Sequence, residues 1–134
     1  MTRKYLHKLP RDFTRDKNKN YVAVIGSRTI TDEKIVYTFI KSIFDNFNDI
    51  IIVSGGAAGV DAAAEFFADD YDIDIIIIKP DWKKYGKCAG MLRNKSIIDL
   101  ADTVIAVQKN NSLGTQNSIN LAKKTQKKLY VKQI

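Results

Sequence analysis

Four short stretches combine glycine, hydroxyl and cationic residues in patterns suited to a phosphorylated ligand. The fullest is Ser54-Gly55-Gly56-Ala57-Ala58-Gly59-Val60-Asp61. It follows Ile50-Ile51-Ile52-Val53 and precedes Ala62-Ala63-Ala64-Glu65-Phe66-Phe67-Ala68, so it reads as strand, glycine turn, helix. The first N–H groups of a helix lack intrahelical partners and the peptide dipoles add up behind them, so such an end attracts anions. Glycine lets the backbone approach a phosphate with no Cβ in between. Asp61, in the first helical turn, either caps the helix or contacts a ribose hydroxyl. The stretch lacks the lysine of a P-loop and the Gly-x-Gly-x-x-Gly spacing of a dinucleotide fingerprint, so it does not by itself imply nucleoside-triphosphate hydrolysis.

The other three stretches add complementary chemistry. Gly26-Ser27-Arg28 offers a hydroxyl and a planar guanidinium fork suited to phosphate or carboxylate. The run from Pro80 to Asn94 supplies aromatic faces, Trp82 and Tyr85, on which a base could stack, with Lys87, Arg93 and Asn94 as polar contacts. Asn110-Asn111-Ser112-Leu113-Gly114-Thr115 is a second loop-to-helix turn with glycine and hydroxyl donors. The bland reading of each is structural: a turn glycine, a lid packed on its own domain, a surface arginine. The expected ligand site therefore comprises Gly26, Ser27, Arg28, Ser54, Gly55, Gly56, Asp61, Trp82, Tyr85, Lys87, Arg93, Asn94, Gly114 and Thr115. No metal site and no cofactor is expected.

The elements between these stretches explain how they could meet. Tyr21 to Ile25, Ile50 to Val53, Asp72 to Ile78, Thr103 to Val107 and Lys128 to Val131 are short apolar runs that read as strands. Between the first two, Thr31-Asp32-Glu33 starts a helix whose stripe Ile35, Val36, Phe39, Ile40, Ile43, Phe44, Phe47 has helical spacing. Further helices are predicted over 59–69, from about Gly90 to Leu100, and from Gly114 onward, with 79–89 as a long irregular connection. Apolar strands alternating with helices give an α/β, Rossmann-like doubly wound parallel sheet of about five strands, with helices on both faces. In such folds ligands bind beyond the carboxyl ends of the strands, where the strand order reverses. The loops after Ile25, Val53, Ile78 and Val107 lie on that edge and carry all four stretches.

The bulk numbers bound the setting. The chain has 134 residues, enough for one domain with a real core. The longest apolar runs fall far short of the ~20 residues needed to span a bilayer, no signal-peptide core is seen, and the single Cys88 fits a reducing compartment. A cytoplasmic protein with no membrane partner is expected. Of the net charge of +7, residues 1–20 carry +5, from seven Lys/Arg against Asp12 and Asp16. They read as a basic N-terminal arm ahead of a domain over 21–134. The arm offers a surface for nucleic acid, or simply solubilises and docks through Tyr5, Leu6, Leu9 and Phe13.

Together, Gly26-Ser27-Arg28, the 54–61 turn, the Pro80–Asn94 run and Ala101-Asp102-Thr103-Val104-Ile105-Ala106 resemble the YspA-like branch of the SLOG superfamily. That superfamily includes the Rossmann domain of DNA-processing protein A and the lonely-guy phosphoribohydrolases. The resemblance covers roughly 21–131, and Trp-x-x-Tyr-Gly-Lys-x-Ala-Gly-x-x-Arg-Asn is its most specific part. It implies a protein that binds a nucleotide or nucleotide-derived small molecule, to sense, sequester or process it, in settings that include conflict between phages and bacteria. It also implies a homo-oligomer, for which the phenylalanine-bearing first helix offers a face. The abundance of Ile, Asn, Asp and Lys fits an AT-rich genome such as a phage's. The alternative is a phosphoribohydrolase cleaving a nucleoside 5′-monophosphate, with Arg93 in the catalytic arginine's place. Against it, the family's Pro-Gly-Gly-x-Gly-Thr-x-x-Glu motif keeps only Gly114-Thr115 here, and its glutamate falls at Ser118. A further alternative is single-stranded nucleic-acid binding, as the likeness of 54–61 to the DNA-processing branch implies, for which the nearly neutral globular part is poorly charged.

Overall fold

The computed structural model describes residues 2–134. Six parallel strands form one sheet in the order β1-β4-β3-β2-β5-β6. They are β1 (Arg3–Leu6), β2 (Asn20–Gly26), β3 (Ile50–Ser54), β4 (Asp74–Ile78), β5 (Thr103–Gln108) and β6 (Lys128–Gln133). Helices α1 (Glu33–Phe44), α2 (Val60–Tyr71), α4 (Ala89–Leu100) and α5 (Leu113–Lys124) join them, with a single turn α3 (Trp82–Tyr85) and a 3₁₀ turn before α4. This is the expected Rossmann-like α/β sheet, with one strand more than the five apolar runs provide.

Strand alternation splits the core into two layers. Val22, Val24, Ile52, Ile75, Ile77 and Ile105 face α1 and α2, whereas Ala23, Val53, Ile76, Ile78, Val104 and Ala106 face α4 and α5. Both faces of the central strands are thus covered, as continuous apolar runs require. Phe44 lies in the first layer and Phe39 and Phe47 pack against it, so the phenylalanines of the first helix turn inward rather than offering an interface.

The sixth strand comes from the basic arm. Arg3 to Leu6 pairs with Ile75 to Ile78 in parallel register. Its sequence has no apolar run to announce it, and polar contacts hold it instead. Arg3 pairs with Glu65 at 3.2 Å and Asp69 at 2.5 Å on α2. Further along, Leu6, Leu9 and Phe13 pack on the second layer. Arg15 donates to the Leu100 carbonyl and to Asp102, and lies 4.5 Å from the Tyr21 ring centroid.

Two local features bear on the site. Asp32 caps α1 by accepting from the Ile35 amide, in line with the helix start read from Thr31-Asp32-Glu33. The 79–89 connection is more regular than its sequence predicts, because Asp81 accepts from the Lys84 amide and closes the turn α3.

Candidate functional site

The strand order reverses between β2 and β5, so the loops after them diverge and open a crevice at the carboxyl edge. A cavity of about 410 Å³ fills it. Of the expected residues, Gly26, Ser27, Arg28, Gly55, Asp61, Arg93, Asn94, Gly114 and Thr115 line it. Gly56 and Trp82 line an adjoining cavity that shares Arg28, Gly55 and Arg93 with the first. Tyr85 faces a third cavity, beside His7 and Lys8 of the arm. Lys87 is exposed, in the 3₁₀ turn, and lines none of the described cavities. Ser54 ends β3 fully buried, outside those cavities, and its hydroxyl has no hydrogen-bond partner among the described residues.

Arg93 is the centre of the first cavity. It projects from α4 and is 7% exposed. Its guanidinium donates to the Gly55 carbonyl at 2.7 Å and to the Asn94 side chain at 2.7 Å. It makes no ion pair within 4 Å among the described residues. Burial makes its charge harder to hold and lowers its pKa, partly offset by Asp61. A buried cation whose hydrogen bonds all go to neutral groups, with a carboxylate only at longer range, is costly unless a further anion completes its surroundings.

Gly55 makes room for this arrangement. A Cβ there would lie 2.5 Å from Arg93 Nη1 and 3.1 Å from Asp61 Oδ2. No side chain fits without displacing the guanidinium. Asp61, also buried, accepts from the Ala57 amide at 2.9 Å. It therefore ties down the glycine turn upstream, and α2 is capped by the Gly59 backbone with no side-chain bond. Burial pushes the Asp61 carboxyl up to about 6, against the opposing pull of the Ala57 amide and Arg93.

Ser27 has a structural partner set. Its hydroxyl accepts from the Lys109 amide at 3.0 Å and lies 2.5 Å from Ser112 Oγ and 3.5 Å from Thr115 Oγ1. It thus clasps the β2–α1 loop to the β5–α5 loop. Gln108, fully buried, continues the clasp by donating to the Ser112 carbonyl and accepting from Gln133. Ser112 is a site residue that motif reading passes over, since only the neighbouring Gly114-Thr115 carries a recognisable turn pattern. Lys79 is another: as the residue after β4 it looks like an ordinary surface lysine. Ser118 lines the first cavity, at the place where the resemblance would put a glutamate.

This geometry offers a buried guanidinium, a carboxyl group, several hydroxyls and the amino end of α5 to one ligand. It suits a phosphorylated, hydroxyl-bearing molecule. Among the described residues, no helix is long and apolar enough to cross a membrane.

Comparison with known proteins agrees with the fold. Residues 21–85 match the model of the YspA, cpYpsA-related SLOG family. The Gene 61 protein of Mycobacterium phage D29 is 28% identical over 110 residues, covering 77% of this chain and 88% of that protein. The X-ray structure of DNA processing protein A from Streptococcus pneumoniae aligns with a TM-score of 0.70 at 24% identity, over 84% of this chain. This chain spans about half the length of that structure.

Proposed function

We propose that this protein, whose residues 21–85 match the YspA, cpYpsA-related SLOG family, binds a nucleotide or nucleotide-derived small molecule at the carboxyl edge of its sheet. The observation that carries the reading is Arg93, buried at the cavity wall with no carboxylate within 4 Å among the described residues. An anionic group on the ligand supplies that partner. Arg28 and the amide groups of the two glycine turns are further anion donors, and Asp61 and the hydroxyls of Thr115 and Ser118 face a sugar. The protein works in the cytoplasm, and a homo-oligomer is in keeping with the superfamily.

Binding is favoured over hydrolysis. Cleaving an N-glycosidic bond needs a carboxylate to steady the oxocarbenium-like ribose or to activate water. The cavity's sole acidic lining residue is Asp61, already engaged by the Ala57 amide, and Ser118 stands in the glutamate's place. Thermal unfolding against mono-, di- and cyclic nucleotides tests the reading. A ligand at a hundred times its Kd stabilises the fold by about 2.7 kcal/mol, which a melting curve resolves readily. A panel that leaves the melting temperature unmoved overturns the proposal, and release of free base would convert it into the hydrolase reading.

A further inference from the structure

The crevice continues past the switch point. The adjoining cavity, about 330 Å³, shares Arg28, Gly55, Ala57 and Arg93 with the first as a common wall. Lys79, Pro80 and Trp82 close its far side. Each cavity alone is within the size range of small-molecule sites.

The two linings differ in chemistry. The first holds the Asp61 carboxyl and the hydroxyls of Ser112, Thr115 and Ser118. The second holds three cations, Arg28, Lys79 and Arg93, and no carboxylate. None of the three forms an ion pair among the described residues. The Lys79 ammonium lies over the Tyr5 ring at 5.0 Å, a contact that leaves its charge uncompensated. Trp82 is 51% exposed and rests its ring edge near Gly90, and its indole makes no hydrogen bond or ring contact among the described residues. An exposed indole beside three cations that have no close ion pair is the pairing used for a base next to its phosphate.

The α5 turn is less suited to the phosphate. Ser112, its cap residue, is already bound to Ser27, and Leu113 at its first position is 79% exposed. The phosphate is better placed on the common wall, where it meets the guanidinium groups and Lys79 together. A hydroxylated ring then lies inward and a second ring outward.

Resting on the nucleotide-binding reading above, we propose that the two cavities are one site for a phosphate-bridged dinucleotide. One nucleoside occupies the first cavity, the bridge lies against Arg28, Lys79 and Arg93, and the second base stacks on Trp82. No Rossmann fingerprint is needed, because side-chain cations rather than a helix terminus hold the bridge.

Calorimetric titration of the full chain tests this with purine and pyrimidine nucleoside monophosphates and the matching dinucleosides bridged by mono- and diphosphate. A bridged dinucleotide should bind roughly tenfold or more tighter than its own mononucleotide, the scale of one stacked base. Trp82→Ala should weaken the bridged dinucleotide far more than the mononucleotide and so abolish that advantage, and Trp82→Phe should restore it. Lys79→Gln should weaken mono- and dinucleotides alike. Equal affinities for both classes, with Trp82→Ala silent, overturn the bridged ligand and leave the mononucleotide reading intact. No binding by any member overturns both. An oligothymidylate whose affinity grows with length beyond two nucleotides, displacing every dinucleotide, assigns the crevice to single-stranded nucleic acid and also overturns the proposal.

Discussion

At the scale of single residues, Arg93, Gly55 and Asp61 form a unit in which each explains the others. Gly55 leaves the space that the guanidinium fills, and Asp61 faces it across that space. Replacing Arg93 by Met should therefore separate function from stability. Losing a charge-assisted contact to a phosphate should weaken nucleotide binding roughly 10- to 100-fold in a titration. The melting temperature should stay level or rise, because a buried charge without a close ion pair is removed from the fold. A loss of stability that tracks the loss of binding would count against a ligand role for Arg93. Asp61 makes a second prediction. Its folded pKa of about 6 lies above the ordinary 3.8, so between those values the folded protein holds more protons than the unfolded chain. On this group's account stability is greatest below about pH 4 and is lost as pH rises through 6, by roughly 3 kcal/mol in all. Asp61→Asn can still accept from the Ala57 amide and should remove this slope, so urea unfolding should show it more stable than the parent at pH 7.5 and little different at pH 4. The glycine turns and Arg93 were legible in the sequence because their residue types are rare in such company. Lys79 and Ser112 were not, since a lysine after a strand and a serine before a helix are common for reasons unrelated to ligands.

At the scale of elements, the site is two loops held at a fixed separation by the Ser27 clasp. Ser27→Ala leaves the Lys109 amide without its acceptor and unties Ser112. It should cost about 1–2 kcal/mol in denaturant unfolding and widen the first cavity, so that nucleotide affinity falls with no change in which nucleotide is preferred. Five strands and four long helices could be read from apolar runs and helical spacing, because packing on both faces demands those patterns. β1 could not. It is an edge strand whose outer side faces solvent, and its hold comes from the β4 ladder and the Arg3 ion pairs, neither of which leaves an apolar signature. The placement of Tyr85 and Lys87 was likewise hidden. They follow Trp82 closely in sequence, but the turn α3 and the 3₁₀ turn carry them out of the crevice.

At the scale of the whole molecule, the uneven charge bears on any contact with nucleic acid. Of the seven basic residues in the first twenty, Arg3 and Arg15 are spent on Glu65, Asp69 and Asp102. At most five remain for phosphates: Lys4, Lys8, Arg11, Lys17 and Lys19. If the arm alone binds single-stranded DNA, the slope of log K against log salt should be no steeper than about −3.5. A steeper slope, measured by fluorescence anisotropy between low and physiological salt, would bring in cations of the globular part, such as Lys79, Arg93 and Lys95, which share a cavity with Lys8. The overall architecture was the most legible level, since alternation of strand and helix is a property of the whole chain. The partition of the carboxyl edge into an acid-bearing and a cationic chamber was the least, because it depends on which neighbours three loops meet.

The seam between β1 and β4 also works as a clock. The Lys79 amide donates to the Leu6 carbonyl at 2.7 Å, its carbonyl accepts from His7 Nδ1 at 3.1 Å, and its side chain reaches the cationic chamber. Every peeling of the first strand exposes that amide, with others of the β4 ladder, to solvent deuterium. A ligand gripping the Lys79 side chain in the closed state must slow its exchange, and reciprocity then obliges the docked strand to tighten the ligand by the same factor. Removing residues 2–8 and timing the exchange of the Lys79 peptide measure the two halves of a single linkage, and unequal factors would break it.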